Sequence, residues 1–456
     1  MDYLAFLLSL IFLAVSWWMT RKKKAISPVT IFFALWSVIL FLSILNLYNI
    51  YKPSNEAYFL IILMLVFFAI GSFIYMFMRK FVKLPSKICE RKIKKESTIK
   101  PRFKLYYVLC SCIILFNIID IIIIIKELAN GNPMWQIRNW SLEPYGSSNP
   151  LLDRRSFLES IFRSVILAPA ETIIPPITAY CFFDLKNKKQ KYALLIISLL
   201  VLFSSSIAGG GGRLGFIYYI GCFLLAFFIF CKNKKISADL IKKYKKVMLI
   251  FVIIGGIFVI AYTTFRTGIG NFVKQTYTYF ALPPTLLSIW LPSIKSVSHT
   301  WGMTSFFGIH SYLFRGLDTV GLDFLVPQIY NEAYSNILNA EIFKDVGYGI
   351  GNAFVTPIYY FFIDGGYPFV CIASFVFGCI ITGFYEKFEE NINIKSFAFY
   401  GLIMYGVFVS FMRIQTAIPA YIISFILVLI LMKETKEAKK VKEDKLLIED
   451  IHREEK

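Results

Sequence analysis

Several runs of 17 or more apolar residues follow one another along the chain without a single charge, separated by short clusters of lysine and arginine. Runs of that length match helices crossing a hydrocarbon layer roughly 30 Å thick. Eleven are predicted: 3–19, 29–49, 58–78, 105–125, 165–183, 193–208, 214–231, 247–264, 367–385, 397–412 and 417–432. The first has no basic residue before it and four after it, the pattern of a retained helix and not of a cleaved leader.

Two long segments, 126–164 and 265–366, interrupt the rhythm. The second is rich in aromatics, and its Pro283-Pro284 pair predicts a break in any helix there. Short helices lying at the membrane surface are expected in it, where Trp and Tyr are favoured. The apolar stretch 351–363 is too short for a full span and reads as a re-entrant or interfacial helix. The tail 433–456 mixes both charges and reads as a solvated helix with no chemistry.

Composition agrees with this pattern: of 456 residues, 57% are hydrophobic and 18% aromatic, with mean hydropathy +0.62. A soluble fold cannot bury that much apolar side chain. The fold class expected is an all-α polytopic membrane protein, a single transmembrane domain over 1–432. The net charge of +20 alone could point to nucleic acid, but its placement does not. Alternate loops (21–24, 79–104, 184–192, 232–246, 386–396 and the tail) hold 36 of the 49 Lys and Arg. By the positive-inside tendency those loops are cytoplasmic, with the N-terminus outside and the C-terminus inside. Anionic lipid head groups are then the expected partners, and nucleic acid is not. None of the eight cysteines falls in the two long segments, and no metal-ligand spacing occurs.

The stretch SSSIAGGGGRLGFIYYIGCFLL (204–225) breaks the apolar pattern most sharply. Four glycines inside a helix would cost roughly 4 kcal/mol relative to alanine, at about 1 each. An arginine in hydrocarbon costs about 2.5–3.5 kcal/mol more. One explanation is that Gly211, Gly212 and their neighbours bring backbone N–H groups, with Arg213, up to a phosphate or pyrophosphate. The other is close helix packing through small residues with Arg213 snorkelling.

Further polar residues gather at the same level: Asp120, Glu171 between Pro169 and Pro175-Pro176, Arg266, Asp364 in FFIDGGYP, and Arg413. Ionisable groups at such positions usually face an internal cavity, so one outward-opening site is expected. Arg213, Arg266, Arg315 and Arg413 suit bidentate recognition of phosphate oxygens. Glu171, Asp364, His299 and His310 are the candidate proton acceptors, each with a structural alternative. Arg138, Arg154, Arg155 and Arg163 suit recruitment of an anion or contact with lipid head groups.

GGGGRLG, the later FRTG and YTYFALPP, and above all VGYGIGNAFVTPIYYFFIDGGYPFVCIASFVFG (346–378) resemble the oligosaccharide repeat unit polymerases, the Wzy-type O-antigen and capsule polymerases. The resemblance covers the chain from about the fourth span to the end. It implies a GT-C-like membrane glycosyltransferase of the bacterial cytoplasmic membrane, acting on its outer face without a metal or other cofactor. Such enzymes transfer the growing glycan from undecaprenyl diphosphate onto the next lipid-linked repeat unit. By the same resemblance Arg213, Arg266 and, less directly, Arg315 bind substrate, Asn352 belongs to the matching motif, and a flippase and a chain-length regulator are partners. Leu214, between arginine and glycine, departs from the family pattern. An O-antigen ligase is chemically close. A lipid-linked oligosaccharide transporter or flippase would place its arginines along a path through the midplane.

Overall fold

The computed structural model describes residues 1–82, 99–132, 136–137, 156–209, 212–232, 238–267, 272–352 and 354–434. Almost every element is helical, and among the described residues nine helices are long and apolar enough to cross a membrane. They include α1 (Asp2–Thr20), α2 (Pro28–Leu45), α3 (Asn55–Val82) and α4 (Phe103–Ala129). Next, α5 (Phe157–Phe162) runs through a π turn at Arg163–Leu167 into α6 (Ala168–Asp184). Then come α7 (Lys188–Ala208), α8 (Leu214–Lys232) and α9 (Ala238–Thr267). After α10 (Phe272–Ile294), α11 (Phe307–Thr319) and α12 (Gln328–Asn339), the bundle closes with α13 (Thr356–Glu390), α14 (Ile394–Phe408) and α15 (Pro419–Leu431).

Two apolar cores hold the helices. One joins α1, α2 and α3 to α10 and α13, with stacked rings such as Phe32 and Phe68 at 3.9 Å. The other joins α4, α6, α7, α8 and α15, and α14 contributes to both. Close approach is helped where Gly71 and Gly378 let α3 and α13 touch: a Cβ at Gly71 would run into the Phe375 backbone, and one at Gly378 into that of Phe68. At the basic end Glu386 pairs with Lys23 at 2.9 Å and Arg79 at 3.5 Å, and strand β1 (Ile99–Pro101) pairs antiparallel with β4 (Met432–Glu434).

The opposite end is loop-rich, and it departs from expectation in one respect. The Pro283-Pro284 pair does not break a helix: α10 (Phe272–Ile294) runs through both prolines and through Pro292. Leu282, Leu286, Leu287, Leu291 and Ile294 repeat at helical spacing and are all buried in the first core. That burial, at about 2 kcal/mol per large side chain, outweighs the backbone hydrogen bonds the prolines cannot donate. Tyr277 donates to Leu42 O at 2.7 Å, Thr285 to Tyr51 O at 3.0 Å, and Lys295 pairs with Glu56 at 2.7 Å, so α10 lies along the ends of α2 and α3. Shorter helices follow, α11 (Phe307–Thr319) and α12 (Gln328–Asn339), with a two-residue hairpin of β2 (Lys344–Asp345) and β3 (Ile350–Gly351).

The stretch expected as a short helix before the ninth span is the first part of α13, Thr356 to Asp364, buried throughout. It ends at Gly365–Gly366, where Gly366 adopts φ 64°, ψ −153°, a conformation open in practice to glycine alone.

Candidate functional site

The glycine-arginine turn joins α7 to α8. Gly211 lies outside the described residues. Gly209 N–H donates to Ser205 O at 2.9 Å, and Ser206 Oγ donates to Gly212 O at 2.9 Å. A Cβ at Gly212 would meet nothing within 4 Å, so close packing does not account for glycine there. Arg213 is half-buried. Its Nη1 donates to Thr263 Oγ1 at 2.6 Å, its Nη2 to Tyr279 OH at 2.7 Å, and the guanidinium stands 5.2 Å from the Tyr279 ring centre. Among the described residues no carboxylate pairs with it. Neutral partners therefore orient the cation and leave its charge uncompensated.

An apolar cavity of about 760 Å³ lies between α8, α9 and α14. Its wall includes Ile217, one turn from Arg213, and Val259 and Ile260, one turn from Thr263. It continues past Gly221 and Gly256 to Phe228 and Val252 near the basic ends of the helices. A Cβ at Gly221 or Gly256 would meet nothing within 4 Å, so these glycines keep the cavity open, whereas one at Gly255 would run into Ile220. An unpaired guanidinium one turn from a hydrocarbon-lined cavity is complementary to an amphiphile with an anionic head.

Arg413 forms the other flank. It pairs with Glu341 at 2.7 Å, both side chains about one-quarter exposed (26% and 28%), and Asn352 Nδ2 donates to Glu341 O at 2.9 Å. A row of rings links the two arginines: Tyr279 to Phe354 at 5.2 Å, then Phe354 to Phe411 at 5.9 Å, two residues before Arg413. Unlike Arg213, Arg413 already has a counter-charge. The side chain of Arg266, in the last turn of α9, lies outside the described residues, as do Arg138, Arg154, Arg155 and the tail beyond Glu434.

On the far side of the turn, Ser205 Oγ donates to Glu171 Oε1 at 2.9 Å. Asn117 Nδ2 in turn donates to Ser205 Oγ at 2.9 Å and Ser204 Oγ at 3.2 Å. Next to it Arg163 grips Asp120 with both terminal nitrogens, at 2.8 and 3.2 Å, and donates through Nε to Glu159 at 2.8 Å. Arg163 opens the π turn, a local widening that often marks functional positions. It is thus committed to a buried ion pair, and not free to recruit an anion.

The remaining candidates stand elsewhere. Asp364 is fully buried and accepts from Thr300 Oγ1 at 2.5 Å, Thr304 N–H at 3.0 Å and Ser305 N–H at 2.9 Å. Its carboxylate locks the turn 300–305 against the break in α13. His299 Nδ1 lies 3.2 Å from Ile363 O, at the edge of the same break. His310 packs among Phe307, Phe314 and Tyr330; burial pushes its imidazole below the ordinary value, and its Nε2 makes no hydrogen bond among the described residues. Arg315 is exposed and stands 5.1 Å over the Tyr334 ring.

The single site expected from a shared level is therefore divided. Arg213 meets α10 at Tyr279, whereas His299 follows the far end of that helix. The fifteen steps along α10 from Tyr279 to Ile294 rise about 22 Å at 1.5 Å each. Thr263, Tyr279, Glu341 and Ser205 complete these clusters, and sequence reasoning missed all four. No signal in the linear pattern separates Tyr279 from Tyr277, which holds α2 instead. Comparison with protein-family models, curated proteins and solved structures finds no match to this chain.

Proposed function

We infer that the protein is a polysaccharide polymerase of the Wzy type, a GT-C-like glycosyltransferase with eleven spans, its N-terminus outside and its C-terminus in the cytoplasm. It acts at the outer face of a bacterial cytoplasmic membrane. It transfers a growing glycan from undecaprenyl diphosphate onto the non-reducing end of an incoming lipid-linked repeat unit. The motif resemblance supplies the reaction class. The observation that carries it to these residues is an uncompensated Arg213 one helical turn from the wall of a hydrocarbon-lined cavity of about 760 Å³. A lipid diphosphate fits both parts, the polyprenyl chain below and the diphosphate at the guanidinium. The apolar helices that continue as α9 and α15 supply the tenth and eleventh spans.

In this scheme the acceptor hydroxyl attacks the anomeric carbon as the bond to diphosphate breaks. Negative charge grows on the leaving oxygen, where a cation already oriented by Thr263 and Tyr279 stabilises it without reorganising. Glu171 is the carboxylate tied to the turn, through Ser205 and Gly209, and takes the hydroxyl proton. Deleting the gene in its host and separating surface and lipid-linked glycans by repeat number tests the reading. Single repeats without a ladder are expected, restored by the wild-type gene and not by Arg213→Ala. Long lipid-linked chains in the deletion strain would instead favour ligation or export.

A further inference from the structure

We propose that Trp301 and His299, in the turn that follows the far end of α10 from Tyr279, form a saccharide-binding subsite that holds a pyranose ring of the glycan at a distance from the reacting carbon. The proposal rests on the polymerase reading for its choice of ligand.

Trp301 is held in an unusual way. Its backbone has φ 52°, in the left-handed region that bulky L-residues rarely enter, yet the position is fastened on every side. Trp301 N–H donates to Asp364 O at 2.9 Å, and Thr300 N–H donates to Ile363 O at 3.3 Å. The buried Asp364 carboxylate takes three further hydrogen bonds from Thr300, Thr304 and Ser305. The product of this buried scaffold is an indole that is 74% exposed. A core would hide such a ring; here the strain serves to present it.

Its surroundings are polar. The His299 ring stands 6.1 Å from the indole, at 75° to it. The contact of Nδ1 with Ile363 O at 3.2 Å places the ring proton on Nδ1 and makes Nε2 an outward acceptor near Gly366. Ser298 Oγ donates to Glu332 Oε2 at 2.8 Å, and that half-buried carboxylate adds further acceptor capacity at the rim. A flat π face beside acceptors matches a sugar ring. Its C–H faces carry partial positive charge that meets the negative indole face, and its hydroxyls donate to the imidazole and the carboxylate. Remote contacts of this kind let an enzyme hold a long chain while the reacting end is positioned.

The test uses the full-length protein in nanodiscs and, as probe, a single-repeat oligosaccharide released from the host's own surface polysaccharide, free of lipid. Binding is followed by saturation-transfer NMR. The wild type and Trp301→Phe are expected to bind, while Trp301→Leu and His299→Ala lose at least tenfold in affinity. Trp301→Phe keeps an aromatic face and so controls for folding. No binding by the wild type, or equal binding by Trp301→Leu as a mere apolar membrane anchor would give, overturns the subsite. Arg213→Ala is expected to bind the free sugar normally and still lose the ladder. If the polymerase reading itself fails, the failure appears separately, as a full ladder in the deletion strain.

Discussion

Tyr279 meets Arg213 twice over, accepting a hydrogen bond from Nη2 at 2.7 Å while its ring lies 5.2 Å from the guanidinium carbon. With Thr263 on Nη1, this fixes the plane of the cation and leaves its charge unmatched. A lysine could satisfy neither the fork nor the ring in the same way.

Arg213→Lys should therefore fail nearly as badly as Arg213→Ala. A drop on the order of 100-fold in chain extension is expected for each, as for removal of one charge-stabilising donor elsewhere. Scoring repeat-number ladders in the complemented deletion strain checks it, and a normal ladder from the lysine variant would remove the bidentate role.

Filling the cavity should stop the reaction without unfolding the protein. Gly221 and Gly256 face open space, so Gly221→Leu with Gly256→Leu adds two side chains to the lumen at little steric cost. Thermal unfolding in detergent should be close to wild type while lipid-linked single repeats accumulate. Full activity from the double variant would exclude the cavity as the lipid site.

Asp364 should matter to stability first. Asp364→Asn keeps one acceptor oxygen but sets an amide nitrogen against one of the donors from Thr304 and Ser305. Leaving a buried donor unmet costs roughly 1–3 kcal/mol, which a lowered unfolding midpoint would report.

The Asp120–Arg163 pair, with side-chain exposures of 5% and 14%, should show strong coupling. Losing one partner is expected to cost about 3–5 kcal/mol, and losing both distinctly less than the sum. Additive effects in a double-mutant cycle would contradict this.

His310 should make the fold sensitive to mild acid. Burial holds its folded value below the ordinary imidazole value of 6.5, so the unfolded chain takes the proton first as pH falls. Its contribution is complete above that ordinary value and is lost as pH drops through the folded one. The unfolding midpoint should fall as pH drops below about 6.5, and His310→Phe should flatten part of that fall.

Long uncharged runs made most of the helices legible, because hydrocarbon length imposes a simple threshold. The helix α10 was not, since Pro283 and Pro284 argued locally against it; the repeat of Leu282, Leu286, Leu287 and Leu291 that overrides them takes its force from the partner surface of α2 and α3. Arg213 stood out as a charge among apolar residues. Its partners did not, because Thr263 and Tyr279 lie 50 and 66 positions away and hydroxyls are common in such helices. Asp364 was visible as an acid before a span, but its work on Thr304, 60 positions earlier, is a tertiary fact.

Reconstitution tests the central claim most directly. The purified chain in liposomes would be given undecaprenyl-diphosphate-linked repeat units from its host, and glycan length and released undecaprenyl diphosphate would be followed together. The account predicts longer lipid-linked glycans with one lipid diphosphate freed per repeat added, and neither product from Arg213→Ala. Unchanged single repeats with the wild-type protein, or extension that proceeds equally well with Arg213→Ala, would contradict it.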